Sequence, residues 1–322
     1  MILVTGGAGY IGSHTVRELV KLNKECIVVD NLEYGHIEAI PNQIIFEKFD
    51  LNDKKSLDNL FNKYKIEAVI HFAAYAYVGE SVLNPQKYYQ NNVLGTMILL
   101  EVMLKNNVKK IVFSSTCATY GNPQYTPIDE NHPQKPINPY GHSKLMIEQI
   151  LADYAKAYGL KYIALRYFNA AGAASDGSIG ESHNPETHLI PLVLKAIKGE
   201  NKKIRIFGDD YDTKDGTCIR DYIHVGDLAT AHILALAKLD QYTGYINLGT
   251  GIGTTVMEVI KAAEEISGEK CNYIVVKRRE GDPAALFAAN KKAQSILGWE
   301  IKYNNIKDII KSAWIWELNR KF

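Results

Sequence analysis

Read from its first residue, the chain alternates short apolar runs with longer segments whose apolar positions recur at helical spacing. That alternation is the pattern of βαβ units and of a parallel sheet. It predicts strands over 2–5, 25–30, 44–49, 68–72, 110–115 and 162–167, and helices best marked over 12–22, 54–64, 91–106 and 139–158. Gly159 stands where a glycine closes the last of these helices. No internal repeat or low-complexity tract interrupts the pattern.

After about Tyr167 the character changes. Residues 169–184 are rich in Gly, Ala and Ser, and 208–216 read GDDYDTKDG, the composition of loops that carry contacts rather than core. A further strand over 244–249, ending NLGTG, is expected to return to the main sheet, which would interleave two units in sequence.

Composition narrows the function classes. The 322 residues are 46% hydrophobic and 23% charged, with a formal net charge of +1, so nothing electrostatic argues for a nucleic-acid or membrane-surface partner. No run approaches the roughly 18 apolar residues of a membrane-spanning helix. The opening MILVTGGAGYIG lacks the basic and apolar regions of a signal peptide. The four cysteines contain no CxxC pair and the nine histidines no HExxH, so no metal site is expected, and reduced thiols in a cytoplasmic protein are.

The candidate chemistry begins with VTGGAGYIGSH, which holds Gly7-x-Gly9-x-x-Gly12 and, overlapping it, Gly6-x-x-Gly9-x-x-Gly12. Alone the pattern is weak. Here it follows a strand, opens a helix, and precedes CIVVDN, whose Asp30 lies 18 residues beyond Gly12. Such glycines let the backbone approach a pyrophosphate set against the helix N-terminus, and such an acid accepts from the adenosine ribose hydroxyls and repels a 2′-phosphate. NAD is therefore expected over NADP. The fold class that follows is α/β: a Rossmann-type, doubly wound parallel sheet with a second, smaller α/β substrate domain. The division drawn is 1–168 plus about 222–255 for NAD, and about 169–221 plus 256–322 for substrate.

Tyr140 and Lys144, four apart in NPYGHSK, fall on one face of a helix begun by Pro139 and capped by Asn138. A tyrosine is a poor base at its ordinary pKa of about 10, and a neighbouring ammonium favours the phenolate. Tyr273/Lys277 and Tyr303/Lys307 share the spacing but read as a strand and the start of a surface helix. The first pair is singled out by KKIVFSST, which places Thr116 at the carboxyl edge of the sheet, where ligands of open α/β sheets bind. There Thr116 can bond both a substrate hydroxyl and the Tyr140 oxygen.

Together TGGAGYIG, SSTCATYG, PYGHSK, RYFNAAG and DGTCIRDYIHV resemble the extended short-chain dehydrogenase/reductase family, from Met1 to about Trp316. Within it the chain is similar to the members that invert C4 of UDP-galactose and UDP-glucose. The resemblance implies a tightly held NAD contacted by Tyr10, Ile11, Asp30, Asn31, Asp50, Leu51, Phe72, Ala73, Asn91, Tyr140, Lys144 and Phe168. It implies a UDP-sugar contacted by Asn169, Leu189, Phe207, Arg220, Arg279 and Asp282, and a homodimer formed by a helix pair of the first domain. Two arginines suit a diphosphate, because each guanidinium donates a fork of hydrogen bonds. Arg220 could instead form a local salt bridge with Asp221 or Asp227, and Phe207 could be plain core. Ala76 stands where many relatives carry lysine, His188 where asparagine is frequent, and Thr116 where serine is.

The activity so implied is oxidation at C4 with Tyr140 as base, rotation of a 4-keto sugar held by its nucleotide, and reduction on its other face. A dehydratase or decarboxylase of the same fold is the alternative. Dehydratases place an acid/base pair directly after the active-site threonine, whereas Cys117 and Ala118 follow Thr116. A non-catalytic NAD-binding protein is a further alternative, although such chains commonly lose the tyrosine or lysine kept here. Leu286 stands where the family limits the group at the sugar's 2-position; lacking a large aromatic, it leaves N-acetylated UDP-hexoses open as substrates.

Overall fold

A computed structural model describes residues 1–200, 203–279 and 281–322. Its centre is a parallel sheet of seven strands. Six are β1 (Ile2–Thr5), β2 (Cys26–Asp30), β3 (Ile45–Lys48), β4 (Ala68–His71), β5 (Lys110–Ser114) and β6 (Lys161–Tyr167); the seventh is Gly244–Leu248. Their order across the sheet is Gly244–Leu248, β6, β5, β4, β1, β2, β3, with every neighbouring pair parallel. The six observed strands agree with the apolar runs to within a residue or two at each end. The seventh does return to the sheet, against β6.

These strands read as unbroken apolar runs because helices cover both faces of the sheet. Alternate residues still part company. Leu3, Ile27, Val69 and Ile111 face α2 (Lys54–Lys63) and the helices Gly95–Lys105 and Pro139–Tyr158. Val4, Val28, Ile70 and Val112 face α1 (Tyr10–Lys21) and the helix Val225–Lys238. Each face has its own core, and the strand pleat sorts side chains between them.

The helix expected over 91–106 departs from the pattern. Gly95–Lys105 is regular, but Tyr89–Leu94 is a wide i→i+5 turn following the short helix Pro85–Tyr88. Asn92, buried in that turn, accepts from Tyr75 N through Oδ1 (2.8 Å) and donates through Nδ2 to Tyr75 O and Ser143 Oγ (3.1 Å each). Extra width of this kind is typical where a side chain serves groups outside its own helix.

The remaining residues build a smaller layer at the carboxyl edge of the sheet. A third core gathers Ile190, Val193 and Leu194 of Leu189–Ile197, Val259 and Ile260 of Val256–Ser267, and Ile309 and Ile310 of Ile306–Asn319. Three small sheets accompany it: Asn169–Ala171 with Tyr222–His224, Ile204–Phe207 with Tyr273–Val276, and Thr254–Thr255, Ile219–Arg220 and Ala285–Leu286 together. Ala293, Leu297 and Trp299, from the stretch assigned by sequence to the smaller unit, pack into the second core of the large sheet, and Trp299 Nε1 donates to Asp227 O (2.9 Å). Tyr273 begins a short strand, and Tyr303 stacks on His224 with ring centroids 3.7 Å apart. Among the described residues no helix is long and apolar enough to cross a membrane.

Candidate active site

A cavity of about 560 Å³ runs along the carboxyl edge of the sheet, between it and the smaller layer. At one part of its wall the chain leaves β1 through the glycine turn. Gly6 has φ +70°, and a Cβ there would meet Ala73 N at 2.5 Å; a Cβ on Gly12 would meet Gly6 O at 2.3 Å. Glycine alone lets these two segments close. Gly9 caps α1 without any side-chain acceptor, so the first N–H groups of the helix face the cavity unclaimed by protein side chains. Asp30, at the end of β2, accepts from Ala8 N (3.0 Å) and Leu32 N (2.8 Å). Burial raises its pKa, and the two N–H groups hold it back. Asp50 accepts from Asn31 Nδ2 (2.9 Å) beside it. An uncapped helix terminus, a glycine cradle and a ribose-facing carboxylate are what NAD requires, and these residues fit it.

Gly6, Gly9, Tyr10, Ile11, Gly12, Asp30, Asn31, Asp50, Leu51, Phe72, Ala73, Asn91, Tyr140 and Phe168 all line this cavity. So do Thr116, Asn169, Arg220, Arg279, Asp282 and Leu286. Three expected contacts do not. Lys144 is buried behind the wall, Leu189 begins its helix beside His188, and Phe207 lies beneath the Arg279 guanidinium, 4.3 Å from its ring centroid. Arg220 pairs with neither of the acids weighed for it. Asp221 is taken by Thr250, Gly251 and Ala288, and Asp227 by the backbone of Lys302 and Tyr303. Arg220 instead donates to Ile219 O and Pro283 O and lies 3.4 Å from Asp282, which also approaches Arg279 at 4.0 Å.

Tyr140 is in the first turn of Pro139–Tyr158, a helix started as expected. Asn138 Oδ1 accepts from Gly141 N (2.8 Å), proline follows, and Gly159 closes the helix at φ +71°. Thr116, beyond β5, uses its Oγ1 to accept from Ala118 N (3.1 Å). Burial raises the Tyr140 pKa well above its ordinary value; Tyr167 adds to the rise and the Thr116 hydroxyl opposes it. Lys144, one turn further along the same helix, is buried at 3% exposure. Its Nζ donates to Ser114 O (2.7 Å), lies 4.8 Å from the Phe113 ring centroid, and is pushed down to about 7 by burial, with Glu148 opposing. By itself the folded chain therefore holds Tyr140 as the phenol. Spacing placed the two residues on one face but could not register how dry that face is.

Several lining residues escaped the sequence reading. Tyr34, Tyr75 and Tyr77 form an edge-to-face cluster, with ring centroids 5.5 and 5.1 Å from Tyr34, and Lys87 Nζ lies 4.3 Å from the Tyr75 centroid. The alternation in FAAYAYV, just beyond β4, was the available signal. Tyr167, hydrogen-bonded to Ser114 Oγ (2.7 Å), lines the cavity near Tyr140, and Glu181 and His183 from the Gly-rich loop line another part of it, against Tyr10 and Tyr77.

The chain is similar in sequence and in fold to proteins already known. A model of the NAD dependent epimerase/dehydratase family matches residues 2–249. A UDP-glucose 4-epimerase of Halalkalibacterium halodurans is 53% identical over 317 residues, covering 98% of this chain and 95% of the relative. Among solved structures, UDP-glucose 4-epimerase from Brucella ovis in complex with NAD has TM-score 0.94 at 49% identity, covering 97% of each chain. The UDP-Glc/GlcNAc 4-epimerase of Campylobacter jejuni has TM-score 0.88 at 44% identity, covering 99% of each.

Proposed function

The chain belongs to the NAD dependent epimerase/dehydratase family, and we propose that it interconverts UDP-galactose and UDP-glucose, using NAD held between α1 and the sheet edge. The observation that carries this reading is one cavity lined by the glycine cradle, by Thr116 and Tyr140, and by Arg220 and Arg279. NAD held by the glycine turn and Asp30 would supply the hydride acceptor, and its positive charge would favour the Tyr140 phenolate. Tyr140 then takes the proton of the sugar 4-hydroxyl, and the Thr116 hydroxyl holds that oxygen in line. Arg220 and Arg279 grip the diphosphate, so that the 4-keto hexose is anchored by its nucleotide and is free to turn. Tyr140 returns the proton on the second pass. Lys144, one turn along the same helix, would hold the nicotinamide ribose and tune Tyr140, and its Nζ ties that helix to the end of β5 through Ser114 O.

Dehydration is disfavoured at the same centre. The residue after Thr116 is Cys117, whose thiol burial pushes up to about 12, and Ala118 after it has no proton to give. Leu286 lines the cavity without the bulk of an aromatic ring, and a neighbour in structure is named for UDP-Glc and UDP-GlcNAc, which supports turnover of N-acetylated UDP-hexoses as well. A homodimer is supported by apolar side chains on the outer faces of two helical segments: Leu94, Met97 and Met146 are 47, 43 and 42% exposed. Four unpaired cysteines suit a cytoplasmic enzyme of galactose metabolism.

The test is proton NMR of purified protein with UDP-galactose and, separately, UDP-N-acetylgalactosamine, first without and then with added NAD. UDP-glucose is the expected product, and UDP-N-acetylglucosamine the expected second one. Absence of UDP-glucose with NAD present would overturn the reading.

A further inference from the structure

Between the strand Asn169–Ala171 and the helix Leu189–Ile197, the chain carries Glu-x-His twice within ESHNPETH, as Glu181/His183 and Glu186/His188. The segment folds back so that one donor atom from each of the four side chains lies within 4.8 Å of the others. Glu181 Oε1 is 3.0 Å from His183 Nδ1 and 2.6 Å from His188 Nδ1. Glu186 approaches the same rings at 3.9 and 3.4 Å.

A cluster that existed only to pair its own charges would satisfy its own oxygens. This one does not. Glu186 Oε1 accepts from the N–H groups of Thr187 and His188, but Oε2 has no hydrogen-bond partner, although the side chain is only 5% exposed. A buried carboxylate oxygen without a partner is costly. It points toward His183, inside the ring of donors. The framework is anchored as well: Trp316 Nε1 donates to Glu181 O (2.8 Å). His188, with 46% of its side chain exposed, opens the cluster to the cavity and gives an ion a way in.

We propose that Glu181, His183, Glu186 and His188 form a binding site for one divalent transition-metal ion of the Zn²⁺ class. Two imidazoles with two carboxylates suit Zn²⁺ or Co²⁺ better than Ca²⁺ or Mg²⁺, which take oxygen-only shells. Bonds of about 2.0–2.2 Å in a tetrahedral shell separate donors by roughly 3.4 Å, inside the span already present. Binding displaces the protons that now link the imidazoles to Glu181 and gives Glu186 Oε2 its partner. The proposed epimerisation makes no use of the ion, although Glu181, His183 and His188 line the same cavity.

The experiment uses the full chain, stripped by a chelator and dialysed against Zn²⁺. About one Zn²⁺ per chain is expected by elemental analysis, and X-ray absorption fine structure at the zinc edge should show nitrogen and oxygen without sulfur. Glu186→Gln keeps the bonds to the backbone N–H groups through its carbonyl and replaces only the unpaired oxygen. It and His183→Gln should each weaken Zn²⁺ by about tenfold or more, with unchanged unfolding curves for the metal-free protein. No Zn²⁺ above background in the wild type, undiminished affinity in both variants, or sulfur in the shell would each overturn the site. If a variant fails to fold, the wild-type fine structure decides alone. None of these readouts involves sugar turnover, so this site and the proposed reaction fail or stand separately.

Discussion

Tyr140 and Lys144 are both nearly inaccessible, at 8 and 3% exposure, and burial moves them in opposite directions: the phenol is held protonated and the amine loses its proton more readily. If Tyr140 carries the proton to and from the sugar, Tyr140→Phe should lower turnover by about 10²–10⁴-fold while leaving bound NAD, read by its absorbance after release, unchanged. Near-normal turnover would remove Tyr140 from the reaction. Lys144 makes a separate prediction about stability. Its pKa falls from 10.5 unfolded to about 7 folded. Between those values the unfolded chain binds more protons, so the penalty for burying this amine is full below about pH 7 and is relieved as pH rises toward 10.5. Protein freed of nucleotide should therefore show a Lys144→Met variant gaining most, relative to wild type, at pH 6–7 and progressively less toward pH 10. A melting-temperature difference that does not change with pH would contradict the burial account. The Tyr-x-x-x-Lys spacing and the position of Thr116 after β5 were legible, because both are local. The desolvation that lowers the Lys144 pKa was not, because it is imposed by Phe113, Ser114 and other residues remote in sequence.

The helix Pro139–Tyr158 shows how an element sets a catalytic group. Asn138 ends an extended approach and accepts from Gly141 N, so the first turn, with Tyr140 in it, is held from outside the helix. Asn138→Ala should cost about 1 kcal/mol, read as a lower denaturant midpoint with an unchanged slope, and should also lower kcat as the first turn frays. A stability loss with kcat intact would separate the cap from the placement of Tyr140. Cap, proline and closing glycine were all readable because they act within a few residues. The wide turn Tyr89–Leu94 was not. Asn92 answers there to Tyr75 and Ser143, so the departure from regular helix is decided across 17 and 51 residues of chain.

Across the whole molecule, the faces turned outward by Gly95–Lys105 and Pro139–Tyr158 leave Met97 and Met146 exposed on the side away from the sheet. If two copies pair there, a Met97→Asp/Met146→Asp chain should elute as a monomer in light-scattering chromatography, with wild type at twice its mass; a variant still at wild-type mass would move the interface elsewhere. By itself the sequence determined the alternation of strands and helices, the glycine turn before α1, Asp30 at the end of β2, and the positions of Thr116 and Tyr140. Each follows from periodicity, steric freedom or spacing within a short stretch of chain. Only the tertiary structure decided which side chains share the cavity, that Arg220 answers to Asp282 rather than to Asp221 or Asp227, and that Ala293, Leu297 and Trp299 complete the core of the large sheet. It alone folded Glu181, His183, Glu186 and His188 into one cluster. Burial and long-range pairing depend on the summed packing of distant segments, and no local pattern of residue types records that sum.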